Sequence, residues 1–438
     1  MNYLKWAEGA HNIDWFTSNG ELISDNSFSV NKEGIYSLYY ETINKEKRVY
    51  TFNVTKDKLP QGAWTYGFTI DESIINANSA VVYKNESTDF SPAIRKFSDT
   101  PMVSWNSWEN KAPFNQIKPC VLDNTTGTVK YYLDPTDYTK KPDGTSSIID
   151  GTDGDVMIEF PKIYWKIEKI GDVVHVNMSN EQLDSSWKCY GHMKGNTEFK
   201  SLYVSAYPVW NKGGVAMSAS GVNPTGAVDE RLANLRGYIQ QRNSNYSFIN
   251  IHAYSLIQML CMLFFKGRDM QNILGMGKVT GTGYLTTGHE DKGGLFSANI
   301  PTDRGVKVLG MEDLWGNVTS YVEGLYVANT GAISWTNENY NELGTGYKPS
   351  GLNMTKDING YVRKVTGTTE LPFVPIEASA SSGYYSDKVV FNHTLSSSSL
   401  FTMGGAPSSP TDAAGLFYCF GYSSTASARS YRMMYLSN

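Results

Sequence analysis

Apolar and polar residues alternate on both sides of a polar turn in GIYSLYYETINKEKRVYTFNV, residues 34–54. Tyr36, Leu38 and Tyr40 share one parity before Asn44-Lys45, and Tyr50, Phe52 and Val54 share one after it. A period of two broken by a polar pair predicts a β-hairpin. VMIEFPKIYWKIEKIGDVVHVNM, residues 156–178, predicts a second hairpin that turns at Gly171-Asp172. IKPCVL and VKYYL read as short strands joined by the turn DNTTGT. The period changes only after residue 225. Leu232, Leu235 and Ile239 form one stripe, which predicts a helix within 225–242. Leu256, Leu260, Leu263 and Phe264 predict another over 252–268, stopped by Lys266-Gly267-Arg268. LIQMLCMLFF is about half the length of a membrane span, so it reads as a buried helix, and no membrane insertion is expected.

Strands and loops around two helices predict an α+β fold. Residues 1–58 read as a small Ig-like β-module, a minimal β-sandwich. TKDKLPQG opens a linker or β extension over 59–94, and 95–438 forms the main domain. No internal repeat or heptad run is present.

Composition sharpens this reading. The 438 residues are 40% hydrophobic and only 18% charged, with 29 Tyr, 10 Trp and 40 Gly. Tyr offers large contact area at low entropic cost, so a chain rich in Tyr, Ser and Gly suits recognition as well as sheet faces. The net charge of -5 without a basic run argues against nucleic acid as a partner. The first fifteen residues have no basic segment leading into an apolar stretch, so a signal peptide is not expected. Cys120, Cys189, Cys261 and Cys419 are scattered, which predicts free buried thiols rather than zinc ligands or disulfides. Asp150, Asp153 and Asp155 invite a calcium reading. Their spacing does not match an EF-hand, so an Asp/Gly turn is expected. The six His form no HxxxH or triad-like pattern. Glu159, Asp303, Glu312, Asp313 and Glu323 offer carboxylates for glycan cleavage, but nothing in the sequence pairs them.

The most specific stretch is GMEDLWGNVTSYVEGLYV, residues 310–327. It resembles the GLYDMHGNVWEWVxDWY signature of the formylglycine-generating-enzyme type of C-type lectin fold. Gly310, Asp313, Gly316, Asn317, Val318 and Val322 match, Leu314 takes the Met position, and Thr319 and Tyr321 replace two Trp. Gly316-Asn317 is expected to make a tight turn, with Asn317 bonded to local backbone. LYVSAYPVW resembles an early core strand, NPTGAVDERLANLRGYI a first helix and FINIHAYSLIQMLCMLF a second. Gly404-Gly405 resembles the family's RGGSW turn, and SARSYRMMYL its closing strand through Arg432. The family's oxidases need a C-terminal cysteine pair, and only Cys419 lies there. The chain is instead similar to phage and prophage tail receptor-binding proteins, including the variable proteins of diversity-generating retroelements.

That resemblance implies a display segment over 404–436. Gly415, Leu416, Phe417 and Arg432 would hold the fold. Ala406, Ser408, Ser409, Thr411, Asp412, Phe420, Tyr422, Ser423, Ser424, Ser427 and Arg429 would face a ligand. It implies a virion protein made in the bacterial cytoplasm, trimeric like tail fibres and attached to other tail proteins. The ligand would be a host-cell surface protein or glycan, with no cofactor, metal or catalysis. The alternatives are a bacterial surface ligand-binding module of the same fold and a glycan-cleaving tail enzyme.

Overall fold

The structure is a computed structural model. It describes residues 3–23, 34–42, 44–54, 63–96, 102–212, 214–224, 232–297, 303–355, 357–391, 399–405, 414–423 and 430–438. The protein is mostly β-sheet, 39% strand against 12% helix, in a β-rich α+β arrangement. The chain divides into two compact units, Met1–Ala63 and Trp64–Asn438.

In the first unit, strands Glu21–Leu22, Tyr3–Glu8, Gly34–Glu41 and Lys47–Val54 form one antiparallel sheet in that order. The hairpin sits where the alternation placed it. Tyr36 faces Phe52 and Leu38 faces Tyr50, and Lys45 makes the turn at φ 61. The sequence reading missed a short helix, α1 (Ile13–Ser18), capped by the Asn12 side chain. Phe16 on α1 is buried and stacks on Tyr39, 5.5 Å between ring centres. Lys5 donates to the carbonyls of Phe16 and Asn19, 2.9 Å each. Among the described residues α1 therefore covers this sheet, where a sandwich would put a second sheet.

The second unit contains three larger sheets. Tyr164–Ile170, Val173–Ser179, Thr65–Asp71 and Val81–Asn85 form the first. Residues of the 59–94 segment thus form a central strand and an edge strand of this unit. The predicted hairpin is real only from Tyr164 onward, turning at Gly171 with φ 60. Asp155–Phe160 instead joins the second sheet. Pro161 follows it, and a residue without a backbone N–H ends a strand. This second sheet orders Val129–Tyr132, Lys118–Leu122, Asp155–Phe160, Ser201–Ser205, Met433–Ser437 and Tyr246–Phe248. The third has eight strands, in the order Lys348–Asn353, Ala332–Trp335, Ser320–Val327, Ser399–Gly404, Gly415–Ser423, Lys388–Val390, Asn359–Val365 and Pro375–Ser379.

Helix α2 spans Leu232–Gln240, with Leu232, Leu235 and Ile239 buried. The predicted start of this helix, 225–231, lies outside the described residues. Helix α3, Ile251–Phe265, is buried along its whole length, so apolar residues surround it on every side. Asn250 caps its start by accepting from the Ala253 N–H at 2.8 Å, and Lys266 ends it in the left-handed region. Arg268, placed by sequence just past the stop, is buried. It donates to the carbonyls of Tyr384, Asp71 and Ile74. A short α4, Met270–Leu274, follows. All four cysteines are free and buried. Among the described residues no helix is long and apolar enough to cross a membrane.

Two buried histidines make the fold acid-sensitive. Burial lowers His192 to about 4 and His252 to about 3. The unfolded chain binds these protons near pH 6.5 and the folded chain does not. Stability is therefore full above about pH 6.5 and falls as pH drops towards 4. By pH 5 each histidine should cost about 2 kcal/mol. Unfolding of His252→Gln by denaturant at pH 7.5 and pH 5 is expected to show a pH loss smaller by about that amount.

Candidate functional site

The described part of the C-terminal segment consists of anchors. Ser399–Gly404 and Gly415–Ser423 pair from Ser399↔Ser423 to Gly404↔Gly415, in the interior of the eight-stranded sheet. Gly404 and Gly405 adopt φ 93 and φ 79, conformations glycine takes without strain. A side chain at Gly404 would lie 2.6 Å from the Leu314 carbonyl. Leu416 and Phe417 are buried. The Leu416 carbonyl accepts from Tyr254 (3.2 Å) and Gln258 (3.1 Å) on α3. The Phe417 N–H donates to Asp387, whose other oxygen accepts from Gln271. Asp387 is thus a buried acceptor that fixes the start of this strand. A Cβ at Gly415 would strike it at 1.8 Å.

Of the residues expected to face a ligand, Phe420 is half-buried and lies opposite Thr402. Tyr422 and Ser423 close the strand Gly415–Ser423, paired with Leu400 and Ser399. Ala406, Ser408, Ser409, Thr411, Asp412, Ser424, Ser427 and Arg429 lie outside the described residues. Both stretches that hold them start and end on fixed backbone. Residues 406–413 connect the paired Gly404 and Gly415. Residues 424–429 run from Ser423 to the buried Ser430-Tyr431-Arg432.

That last trio enters the centre of the unit. Tyr431 bridges to Tyr321, and its carbonyl accepts from Val209. Arg432 is fully buried and donates to the carbonyls of Ser205 (3.0 Å), Ala206 (3.4 Å) and Glu312. Burial lowers its guanidinium to about 10, which leaves it charged at neutral pH. The 310–327 stretch folds around this cation. Asp313, Gly316 and Asn317 all have positive φ. The Gly316 N–H donates to the Gly404 carbonyl at 3.0 Å, and Trp315 Nε1 to Gly275 at 2.9 Å. Asn317 does not bond local backbone as expected. It exchanges two bonds with the backbone of Leu285 and donates to Asp313 Oδ2 at 2.7 Å.

Four of the five carboxylates considered for catalysis hold hydrogen bonds or ion pairs within the fold. Glu159 accepts from Ser201, Tyr203 and Tyr132. Glu312 accepts from the N–H groups of Gly288 and Glu290, 2.9 Å each, and burial pushes it up to about 8. Asp313 lies beside it, and His289 at the surface touches both. Burial works against a charged His289, but Asp313 and Glu312 outweigh it and raise His289 to about 10. Glu323 pairs with Arg236, and burial pushes it up to about 7. Asp303 is exposed. In the acidic loop Asp150 accepts from the backbone and hydroxyl of Thr152, an Asp-x-Thr turn also made by Asp134, Asp137 and Asp143. Asp153 pairs with Lys130, and buried Asp155 with Arg242.

Sequence reasoning missed a polar cleft of about 170 Å³ between α2, Tyr246–Phe248 and the 337–340 loop. Arg236 and Glu323 meet there, 87 positions apart, and no spacing rule joins them. It also missed His289 beside Glu312 and Asp313, for the same reason. The chain matches no known protein-family model and no curated protein sequence.

Two substitutions test the central arrangement. Arg432→Met removes the cation from three buried carbonyls, of which Ala206 keeps only its bond from the Glu312 N–H at 2.8 Å, and should cost about 3–5 kcal/mol in denaturant unfolding. Gly404→Ala combines positive φ with a backbone clash, and a loss of about 2 kcal/mol is expected.

Proposed function

We propose that this chain is the receptor-binding protein of a phage or prophage tail. Its second unit is a C-type-lectin-like domain of the formylglycine-generating-enzyme type. Its 404–436 segment grips a protein or glycan on the host surface, and its first unit contributes to attachment to other tail proteins. A retroelement could diversify such a segment without unfolding it.

One observation carries the reading. The stretches 406–413 and 424–429 hold eight of the eleven expected contact residues, and strand-paired or buried residues flank both ends of each. Their sequence, APSSPTDA and STASAR, is small, hydroxylated and low in charge. Residues of that kind give adaptable hydrogen bonds at little cost to folding, and half-buried Phe420 offers an aromatic contact nearby. Recognition by many modest contacts gains from repetition, which favours the trimer expected from tail fibres.

The test uses purified full-length protein with bacterial cells of several envelope types. Binding should saturate and release no sugar ends. Light scattering should give a trimer. A combined Ser408→Arg, Ser409→Arg, Ser427→Arg variant should keep its melting temperature within about 2 °C. Its cell binding should fall at least about tenfold, a change of about 1.4 kcal/mol. Unchanged binding, or a stability loss like that of Arg432→Met, overturns the reading.

A further inference from the structure

Two buried carboxylates flank one imidazole at the edge of the central turn. Neighbouring positions supply Glu312 and Asp313, and both are fully buried. His289 arrives from the loop before them. One ligand atom from each of the three lies within 4.8 Å of the others.

The hydrogen bonds fix the state of the ring. His289 Nδ1 lies 2.8 Å from the Thr286 carbonyl and 3.1 Å from Glu312 Oε1. A carbonyl only accepts, so Nδ1 carries a proton and donates it. Nε2 then faces Asp313 Oδ1, 3.5 Å away. Asp313 Oδ1 is buried and accepts no hydrogen bond, while Oδ2 is held by Asn317. Such an oxygen needs a cation. A second proton on the ring would supply one. Yet 3.5 Å is longer than the 2.7–3.2 Å range of N–H···O bonds, so that proton would give an ion pair with a long hydrogen bond.

The spacing suits a metal better. Two ligands about 2.1 Å from a tetrahedral ion stand about 3.4 Å apart. The rest of the arrangement is what a metal-binding histidine and carboxylate require. The ring's other nitrogen donates to a backbone carbonyl, and the carboxylate's other oxygen is held by an amide. Position 305 is glycine, and a Cβ there would lie 1.9 Å from His289 Nε2 and 2.5 Å from Asp313 Oδ1. Any larger residue would fill the space between the two ligands.

We infer that His289 Nε2 and Asp313 Oδ1 bind a divalent transition-metal ion of the Zn²⁺ class, with the Glu312 carboxylate, which lies against Nδ1, adding negative charge beside them. One imidazole with carboxylate oxygens is a donor set for Zn²⁺. The ion ties the loop carrying Thr286 and His289 to the turn that carries Asn317. The expectation of no metal rested on spacing in sequence, and His289 stands 23 positions before Glu312.

The experiment strips the full-length chain with a chelator and titrates it with ZnCl₂ by calorimetry at pH 7.5. One ion should bind per chain with a Kd below about 1 μM. Saturating Zn²⁺ should raise the melting temperature by several degrees. His289→Gln and Asp313→Asn should each weaken binding by about 10–100-fold or more. Gly305→Ala should do the same while removing no ligand. Asp153→Asn, away from the site, should bind as the parent does. Circular dichroism identifies any variant that fails to fold, and His289→Gln, at the surface, keeps the test open if Asp313→Asn does. The inference is overturned if the parent binds no Zn²⁺ tighter than about 100 μM. Equal affinity in the parent and in folded His289→Gln overturns it too, as does a ¹⁵N spectrum showing His289 as imidazolium with Zn²⁺ present.

Discussion

The second unit depends on the buried Arg432 guanidinium and the carbonyls it collects. Ser205 ends one strand of the six-stranded sheet and Ala206 follows it, and Glu312 opens the turn that leads into the eight-stranded sheet. Where a strand leaves its ladder, carbonyls lose their partners. Inside a protein each orphan costs about 1–3 kcal/mol. A planar cation with five donors serves several carbonyls at once, and its charge strengthens every bond. Lysine, a point charge on a flexible stem, would not supply that fork. The Gly316 N–H to Gly404 carbonyl bond adds a second tie between the same turn and the C-terminal strands. Glycine at 404 lets the two backbones meet closely.

What could be read from sequence follows the range of each interaction. The hairpin of the first unit was legible because alternation and turn lie within 21 residues, and Lys45 makes the turn. Helix α3 was legible because a run apolar on all sides has few other places to go, and its stop at Lys266 was marked by the Lys-Gly-Arg that follows. The central turn was legible from the Gly316-Asn317 pair, both of which adopt positive φ. Helix α1 was missed because six residues give no usable periodicity, and Asn12 was its one local signal. The strand Thr65–Asp71 was read as linker or extension because its partner, Val173–Ser179, lies about a hundred residues away.

The site was less legible than the fold. Glu312 and Asp313 stand next to the turn marked by Gly316-Asn317, but His289 beside them was not foreseen. Asn317 illustrates the limit. Its residue type predicted hydrogen bonding to backbone, yet the backbone it holds is that of Leu285. Local chemistry told what the side chain would do, and only tertiary structure told to whom. The same holds for Asp387, an internal acceptor for the Phe417 N–H and Gln271, partners 30 and 116 positions away.

The arrangement separates two demands on the C-terminal segment. Stability rests on backbone and a few fixed side chains: Gly404, Gly415, Leu416, Phe417 and Arg432. Their partners are mainly carbonyls and N–H groups, or buried groups such as Asp387, that do not vary with the residues between. A mutation in 406–413 or 424–429 changes no side chain in that set. If those anchors were instead side-chain pairs spread along the segment, each change would break a partner and cost about 1 kcal/mol or more. A protein whose contact residues must vary while its fold stays fixed is best built on backbone hydrogen bonds, because every residue except proline supplies the same N–H and C=O. The distribution of anchors over the final 35 residues has that character.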